Sequence, residues 1–177
     1  TIKPWSVLSH YNSLLEMPLR LTIHKVFSKT MGSYGFIAQG QVLTGTLKLN
    51  MPVIIEPSGI ETSVVSLQLN KQNIEVAYPG EYVTLVLRGC SQKEVFRGCI
   101  VADARRQVPM QAKSFLAKIQ TVFPNSHKKL LPGYEPLVFF HAQYAAVRIS
   151  AIQGIVDRRS KDDCIINPNP TRIDKGE

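Results

Sequence analysis

Few residues of this sequence have types and spacings that suit catalysis. Four histidines stand far apart in the chain, namely His10, His24, His127 and His141. Neither a Gly-x-Ser-x-Gly motif nor a His-Glu-x-x-His motif occurs. Among the 13 carboxylates, the closest couple is Asp162 and Asp163, in a segment without periodicity. The sequence thus predicts no nucleophile, base and orienting group placed together, and we expect this chain itself not to be an enzyme.

Nucleotide and metal chemistry also lack their usual signatures. No Gly-x-x-x-x-Gly-Lys-Ser/Thr loop is present to cradle a phosphate. The Asn70-Lys71-Gln72-Asn73 stretch begins like a guanine-reading motif but lacks its aspartate. Three cysteines make an odd number, contain no Cys-x-x-Cys pair, and are typical of buried thiols in a reducing setting. We therefore expect neither a cofactor nor a metal ion in this chain.

The overall charge points instead to a binding protein. The chain has a net charge of +8 and a pI near 9.5, and basic domains attract polyanions such as nucleic acid. The positive residues occur in separate clusters, namely Arg105-Arg106, His127-Lys128-Lys129 and Arg158-Arg159-Lys161. Their spread favours several folded faces over one basic tail. A solvated cationic surface without a partner is the alternative interpretation.

Hydrophobic periodicity predicts strands almost throughout. Leu19, Leu21 and Ile23 alternate with polar residues, as in a strand with one buried face. Further strands are predicted at 34–42, 51–56, 62–69, 82–87, 100–102, 114–122, 137–141 and 146–156. Gly and Pro turns separate them, which is typical of a barrel whose closure removes exposed edges. The predicted core comprises Leu21, Ile23, Val26, Val42, Val83, Leu85 and Leu87, whereas Gly35, Gly40 and Gly45 are predicted at turns or bulges.

These patterns predict an all-β protein made of two consecutive antiparallel barrels. We expect residues 1–17 to be a linker or the end of an upstream helix, 18–107 to form the first barrel, and 108–177 to form the second. The boundary is placed at the Arg105–Pro109 stretch, which interrupts the strand rhythm. No apolar run reaches the length of a membrane helix, and no secretion signal opens the chain, so we expect a cytoplasmic protein.

An ordered set of segments resembles domains II and III of the EF-Tu and elongation factor 1-alpha superfamily. In the first barrel the resemblance covers residues 18–27, the hairpin at 35–45, the turn at 79–83 and the segment at 87–98. In the second barrel it covers 109–115, 131–136, 146–149 and 157–160. The spacing matches over nearly the whole chain, and it is most similar to the eukaryotic branch of the superfamily.

The resemblance implies a translational GTPase whose nucleotide-binding domain lies upstream. GTP and Mg²⁺ would then be cofactors of that domain, and residues 1–17 would lead from it. The second barrel is predicted to be incomplete, because the chain ends before the segments that close this barrel in the family. The expected partners are the ribosome, the protein's own GTPase domain, and a transfer RNA or a protein shaped like one.

Two departures from the family pattern favour a protein partner. In bacterial EF-Tu an acidic pair borders the aminoacyl pocket, whereas His24 and Lys25 occupy those positions here. The hairpin arginine of the family is replaced by Gln41. These changes favour a relative that carries a Pelota-like rescue factor or a class-one release factor during ribosome rescue or termination.

The resemblance and the charge together predict a set of residues that contact RNA or the partner. They are His24, Lys25, Gln41, Arg88, Arg97, His141, Arg148, Arg158 and Arg159. For the arginines, a solvated position beside a turn or on an outward strand face is the alternative interpretation.

Other functions stay open at the level of the sequence. They are elongation factor 1-alpha proper with aminoacyl-tRNA, a degenerate GTPase-like adaptor in RNA surveillance, the GTPase subunit of ATP sulfurylase, and a stand-alone RNA-binding barrel. The elongation-factor-like segments 109–115 and 157–160 argue against the sulfurylase subunit.

A functional positive charge predicts a strong salt dependence. Binding of ribosomes or transfer RNA by this chain should weaken steeply as the salt concentration rises, because phosphate contacts release condensed counterions. A salt titration of the association constant measures this dependence. A flat response would show that the charge is not used for RNA binding.

Overall fold

A computed structural model describes residues 11–27, 35–91, 93–120, 130–156 and 165–168. The chain divides into two compact units. The first comprises Thr1–Gln111 with His141–Gln143, and the second comprises Ala112–Phe140 with Tyr144–Glu177. The division falls close to the predicted boundary, while the assignments of a linker and of an incomplete second barrel stay predictions. Within the predicted linker, residues 11–16 are helical.

Nine strands make up the described part of the first unit. They are β1 Arg20–Phe27, β2 Gly35–Thr44, β3 Leu47–Lys48, β4 Pro52–Glu56, β5 Ile60–Leu69, β6 Gln72–Asn73, β7 Val76–Ala77, β8 Tyr82–Arg88 and β9 Ile100–Asp103. In this unit the sequence predicts five strands after β1, at 34–42, 51–56, 62–69, 82–87 and 100–102. They correspond to β2, β4, β5, β8 and β9, which confirms these five predictions.

Six of these strands close into a ring. Their hydrogen-bonded order is β4-β9-β1-β2-β8-β5, and β5 pairs back with β4. Every pairing in the ring is antiparallel. The short β6 is attached to β5, and β3 pairs with β7 beside the ring. Closure removes the free strand edges that would otherwise invite association, and it confirms the predicted barrel.

Alternate side chains of the ring point inward and form one core. On β8, Val83, Leu85 and Leu87 are fully buried, because every second residue of a strand faces the same side. Six of the seven predicted core residues are buried, and Val26 packs against the core while only half-buried. Burial of each such side chain contributes on the order of 1.5–3 kcal/mol. Thr22, predicted to face outward, is buried as well.

The second unit contains four described strands in two pairs. They are β10 Leu137–Phe140, β11 Gln143–Ala146, β12 Gly154–Val156 and β13 Ile165–Pro168, with β10 paired to β11 and β12 to β13. Two further backbone hydrogen bonds join residues outside these strands: the Ile149 amide donates to the Tyr134 carbonyl at 3.0 Å, and the Gly133 amide donates to the Ile149 carbonyl at 2.7 Å. None of the described large apolar side chains of this unit is buried; Phe139, for example, is 75% exposed.

Two strand predictions in this unit are wrong. Residues 114–120, the described part of the predicted strand 114–122, do not form a strand. The predicted strand 146–156 is divided, since residues 147–153 lie outside β11 and β12. An alternating pattern becomes a strand only when a neighbouring strand satisfies its backbone groups, and no described strand pairs with residues 114–120.

Within the described ranges, no helix has both the length and the apolar character that crossing a membrane requires.

The core makes a test of the barrel's stability straightforward. Val83→Ala should lower the free energy of unfolding by about 2 kcal/mol, because it removes buried methyl groups and leaves a cavity. The same substitution at Val65, which is 40% exposed on β5, should cost less than about 0.5 kcal/mol. Urea denaturation measures both values. Equal losses for the two variants would contradict the inward orientation of Val83.

Candidate partner-binding face of the first barrel

A β-bulge in the first strand presents His24. Ile23 lies opposite Gly40 and Lys25 lies opposite Gln39, so His24 is the extra residue of β1. A bulge bends its strand and re-aims the side chains around it. The neighbouring strand must come very close at this point. A Cβ on Gly40 would lie 2.3 Å from the Thr22 carbonyl oxygen, so only glycine fits there.

The His24 ring contacts an aromatic residue two strands away. Its centroid lies 5.6 Å from that of Tyr82 on β8, with the planes at 77°, a T-shaped arrangement. Tyr82 lies directly opposite Gln41 on β2, and the Gln41 amide donates to the Gly80 carbonyl at 3.3 Å. We call His24, Lys25, Gln41 and Tyr82 together the His24–Tyr82 face.

Backbone pairing brings Arg97 beside this face. The Ile23 amide donates to the Cys99 carbonyl at 2.9 Å, and the Gly98 amide donates to the Ile23 carbonyl at 2.7 Å. The turn that carries Arg97 is therefore held against β1, next to the bulge. Proximity also shows in the electrostatics, since the Arg97 charge acts on His24.

Burial and cations keep His24 neutral. Desolvation lowers the pKa of His24 below its ordinary value of 6.5, and the charges of Arg97 and His141 lower it further. Its Nε2 is buried and has no hydrogen-bond partner among the described residues. Next to it, the Lys25 ammonium lies 5.3 Å from the centroid of Phe27, a cation–π contact. The face thus combines an unpaired imidazole nitrogen, a cation and an exposed phenol.

Two arginines bracket a turn that its own residues make rigid. The Ser91 amide and hydroxyl donate to the Glu94 carboxylate at 2.8 and 2.7 Å, and these bonds lower the pKa of Glu94. Val95 is fully buried beneath the turn. The Thr62 hydroxyl donates to the Arg88 carbonyl at 2.7 Å. With their backbone fixed in this way, Arg88 and Arg97 both expose their side chains.

His141 also lies near the His24–Tyr82 face. It belongs to the first unit, occupies an exposed turn with a φ of 49°, and its charge acts on His24. Arg148, in the second unit, is exposed and its Nε lies 3.8 Å from Oε1 of Glu135, a surface ion pair that contributes little energy. Arg158 and Arg159 lie outside the described residues.

The structure therefore brings together His24, Lys25, Gln41, Arg97 and His141 from the predicted set, and adds Tyr82. Sequence reasoning missed Tyr82 as a site residue. Its outward position follows from strand alternation, but its contact with His24 depends on the register of β1, β2 and β8 and on the bulge, neither of which the pattern shows. Within the described ranges, no group of three or more His, Cys, Asp or Glu residues is arranged to hold a metal ion.

Comparison with known proteins identifies relatives that match most of the chain. The family "Elongation factor Tu domain 2" matches residues 35–102. Over 81% of this chain, elongation factor 1-alpha (oocyte form) of Xenopus laevis is 33% identical; over 82%, elongation factor 1-alpha of Eimeria bovis is 32% identical. The chain spans 30% and 41% of the lengths of these relatives, respectively.

Two solved structures share the fold. The bacterial selenocysteine-specific elongation factor EF-Sec is 24% identical, with a TM-score of 0.59 over 81% of this chain and 23% of its own. Sup35 complexed with GMPPNP is 17% identical, with a TM-score of 0.66 over 91% of this chain and 37% of its own. At these identities the likeness supports the fold alone.

The lowered pKa of His24 makes the stability of the barrel depend on pH. Because the folded protein takes up this proton at a lower pH than the unfolded chain, the unfolded chain binds more protons just below about pH 6.5. The free energy of unfolding should therefore decrease as the pH falls through about 6.5 towards the lowered pKa. Urea denaturation across this interval measures the decrease. The decrease in the free energy of unfolding should be smaller in a His24→Gln variant. Identical pH profiles of the two proteins would show that His24 does not cause the decrease.

Proposed function

The chain belongs to the EF-Tu and elongation factor 1-alpha superfamily, as its sequence predicted, and on this premise we propose that it is the β-barrel portion of a translational GTPase that delivers a tRNA-shaped protein to the ribosome. The partner is a Pelota-like rescue factor or a class-one release factor. Delivery serves ribosome rescue or termination.

The observation that carries this proposal is the composition of the His24–Tyr82 face. Where bacterial EF-Tu has an acidic pair, this chain presents a neutral histidine and the Lys25 ammonium, and Arg97 lies alongside. Tyr82 is 46% exposed next to them. Tyrosine and arginine are the residues that most often anchor protein interfaces. Carboxylates of a protein partner can accept from Lys25 and Arg97, and the partner can pack against the phenol ring.

The same face is a poor site for an aminoacyl group. A free α-amino group needs acceptors, and lysine and arginine side chains only donate. Gln41 and Tyr82 carry acceptor oxygens, but the face has no carboxylate, and the Nε2 of His24 is buried. An aminoacyl ester placed here would leave its amino group beside cations, which is electrostatically unfavourable.

Hydrolysis of GTP belongs, in this proposal, to a domain outside this chain. That domain binds GTP and Mg²⁺, and the barrels serve as rigid platforms that dock on it, on the partner and on the ribosome. The closed ring supports this role, because a site built on a rigid scaffold keeps its side chains in fixed positions. Basic residues such as Arg88 would contribute affinity through contacts that carry no sequence information.

A second candidate is elongation factor 1-alpha proper, with aminoacyl-tRNA as the partner. The identity of 33% to the Xenopus laevis protein favours it. The two candidates differ in what the His24–Tyr82 face binds, so one experiment on the full-length protein separates them.

The experiment is an affinity pull-down with the full-length protein, in which Pelota, the class-one release factor and aminoacyl-tRNA are each quantified. We expect recovery of one of the two proteins. Lys25→Glu should reduce that recovery about tenfold, because it places a carboxylate against the acidic surface of the partner; a tenfold change corresponds to about 1.4 kcal/mol.

Lys113→Glu provides the matched control. Lys113 is exposed and belongs to the second unit, whereas the His24–Tyr82 face belongs to the first, and the substitution makes the same change of charge. Recovery by this variant should stay within about twofold of the wild type. Exclusive recovery of charged tRNA by the wild type would overturn the proposal in favour of the second candidate. Equal losses in both variants would remove the role given to Lys25.

A further inference from the structure

A second surface of the first barrel has the features of a binding site. It is a groove of about 360 Å³ lined by residues of three separate chain segments. Lys48 belongs to one of these segments and Arg105 and Arg106 to another, while Met17 and Leu49 form part of the apolar lining. We call it the Lys48 groove. It lies where β1 begins and β9 ends, whereas His24 and Lys25 lie further along β1 at the bulge.

Backbone hydrogen bonds hold all three segments in place. The Gly45 amide donates to the Leu14 carbonyl at 2.8 Å, which ties the helical residues to the end of β2. Gly45 has a φ of 68°, and a Cβ there would lie 2.6 Å from the Leu19 nitrogen, so this junction requires glycine. The Met51 amide donates to the Lys48 carbonyl at 3.2 Å and closes the second segment.

The third segment is fixed by an acidic side chain within the groove itself. The Arg105 amide donates to the Asp103 carboxylate at 2.9 Å, and the Ala104 amide donates to the Pro52 carbonyl at 3.3 Å. Asp103 is thus engaged in shaping the turn that presents the two arginines. The groove is consequently assembled before any ligand arrives, which lowers the entropic cost of binding.

The groove carries an excess of positive charge, since three cations and one carboxylate line it. Lys48, Arg105 and Arg106 are exposed, and in the described part of the chain none of them forms an ion pair. Asp103 is the one carboxylate in the lining. Three unpaired cations around a small cleft favour a ligand with closely spaced negative charges.

We propose that the Lys48 groove binds the phosphate backbone of an RNA strand. Guanidinium groups match the geometry of phosphate oxygens with paired hydrogen bonds, and the groove is lined by two consecutive arginines together with a lysine. Met17 and Leu49 expose 48% and 37% of their surfaces and offer an apolar contact for a ribose or a base. The overall charge of +8 makes a polyanion the favoured ligand. This inference does not rest on which partner the His24–Tyr82 face binds.

The test measures binding of a fluorescein-labelled RNA hairpin to the 177-residue chain by fluorescence anisotropy over a series of salt concentrations. The variant Lys48→Gln/Arg106→Gln removes one cation from each of two segments that line the groove. It should weaken binding about tenfold or more at low salt. It should also make the plot of log association constant against log salt shallower by about 1.4–1.8, since each lost phosphate contact removes about 0.7–0.9 from the slope.

The control Lys71→Gln/Lys93→Gln makes the same change of charge at two exposed lysines outside the groove. It should bind RNA within about twofold of the wild type, and circular dichroism melting of each variant reports whether the barrel is intact. Equal weakening in both double variants, with both folded, would mean diffuse attraction and would overturn the groove as a site. Poly-glutamate competing with the hairpin as well as unlabelled RNA does would assign the groove to an acidic peptide and overturn the RNA assignment.

The two proposals fail in different ways. A loss of partner recovery in Lys25→Glu with unchanged RNA binding concerns the His24–Tyr82 face alone. A loss of RNA binding in Lys48→Gln/Arg106→Gln with unchanged partner recovery supports the groove alone.

Discussion

Pairing of β4 with β5 closes the barrel, and the rest of the first unit depends on that pairing. Pro52 to Ile55 of β4 lie opposite Ser63 to Ile60 of β5 in antiparallel register, while β4 pairs with β9 on its other side. Once the ring is closed, each of its six strands pairs with two others, and the inward side chains share one core. The outward side chains then have fixed positions on a rigid surface.

That constraint explains how a surface feature arises from one extra residue. At the bulge, Gly40 leaves the space that the close contact of β1 and β2 needs. The extra residue then reaches Tyr82 across β2. The resulting face carries a cation and an exposed aromatic ring, and the proposed function assigns it to a protein partner. The Lys48 groove lies at another part of the ring, and the segments that lead into β1 and out of β9 contribute to its lining.

The two units distribute stability unequally. All large side chains that are fully buried belong to the first unit, among the residues that the structure describes. The described aromatic residues of the second unit are exposed. They include Phe139 and Tyr144, whose ring centroids lie 5.9 Å apart. Substitutions in the core of the ring therefore act on the first unit, while Arg148 lies in a unit whose described large apolar side chains are not buried.

The sequence by itself determined the all-β class, the long strands of the first barrel, most of its core and the superfamily, because alternation and turn residues are local signals. It also indicated His24, Lys25 and Gln41 as departures from a family pattern. The tertiary structure alone decided that β4 closes on β5, that Arg97 lies beside His24, and that Tyr82 completes the face. It also joined Lys48 with Arg105 and Arg106, which are more than fifty positions apart. Residues 114–120 mark the limit of local reasoning, since a strand depends on a neighbour that alternation cannot reveal.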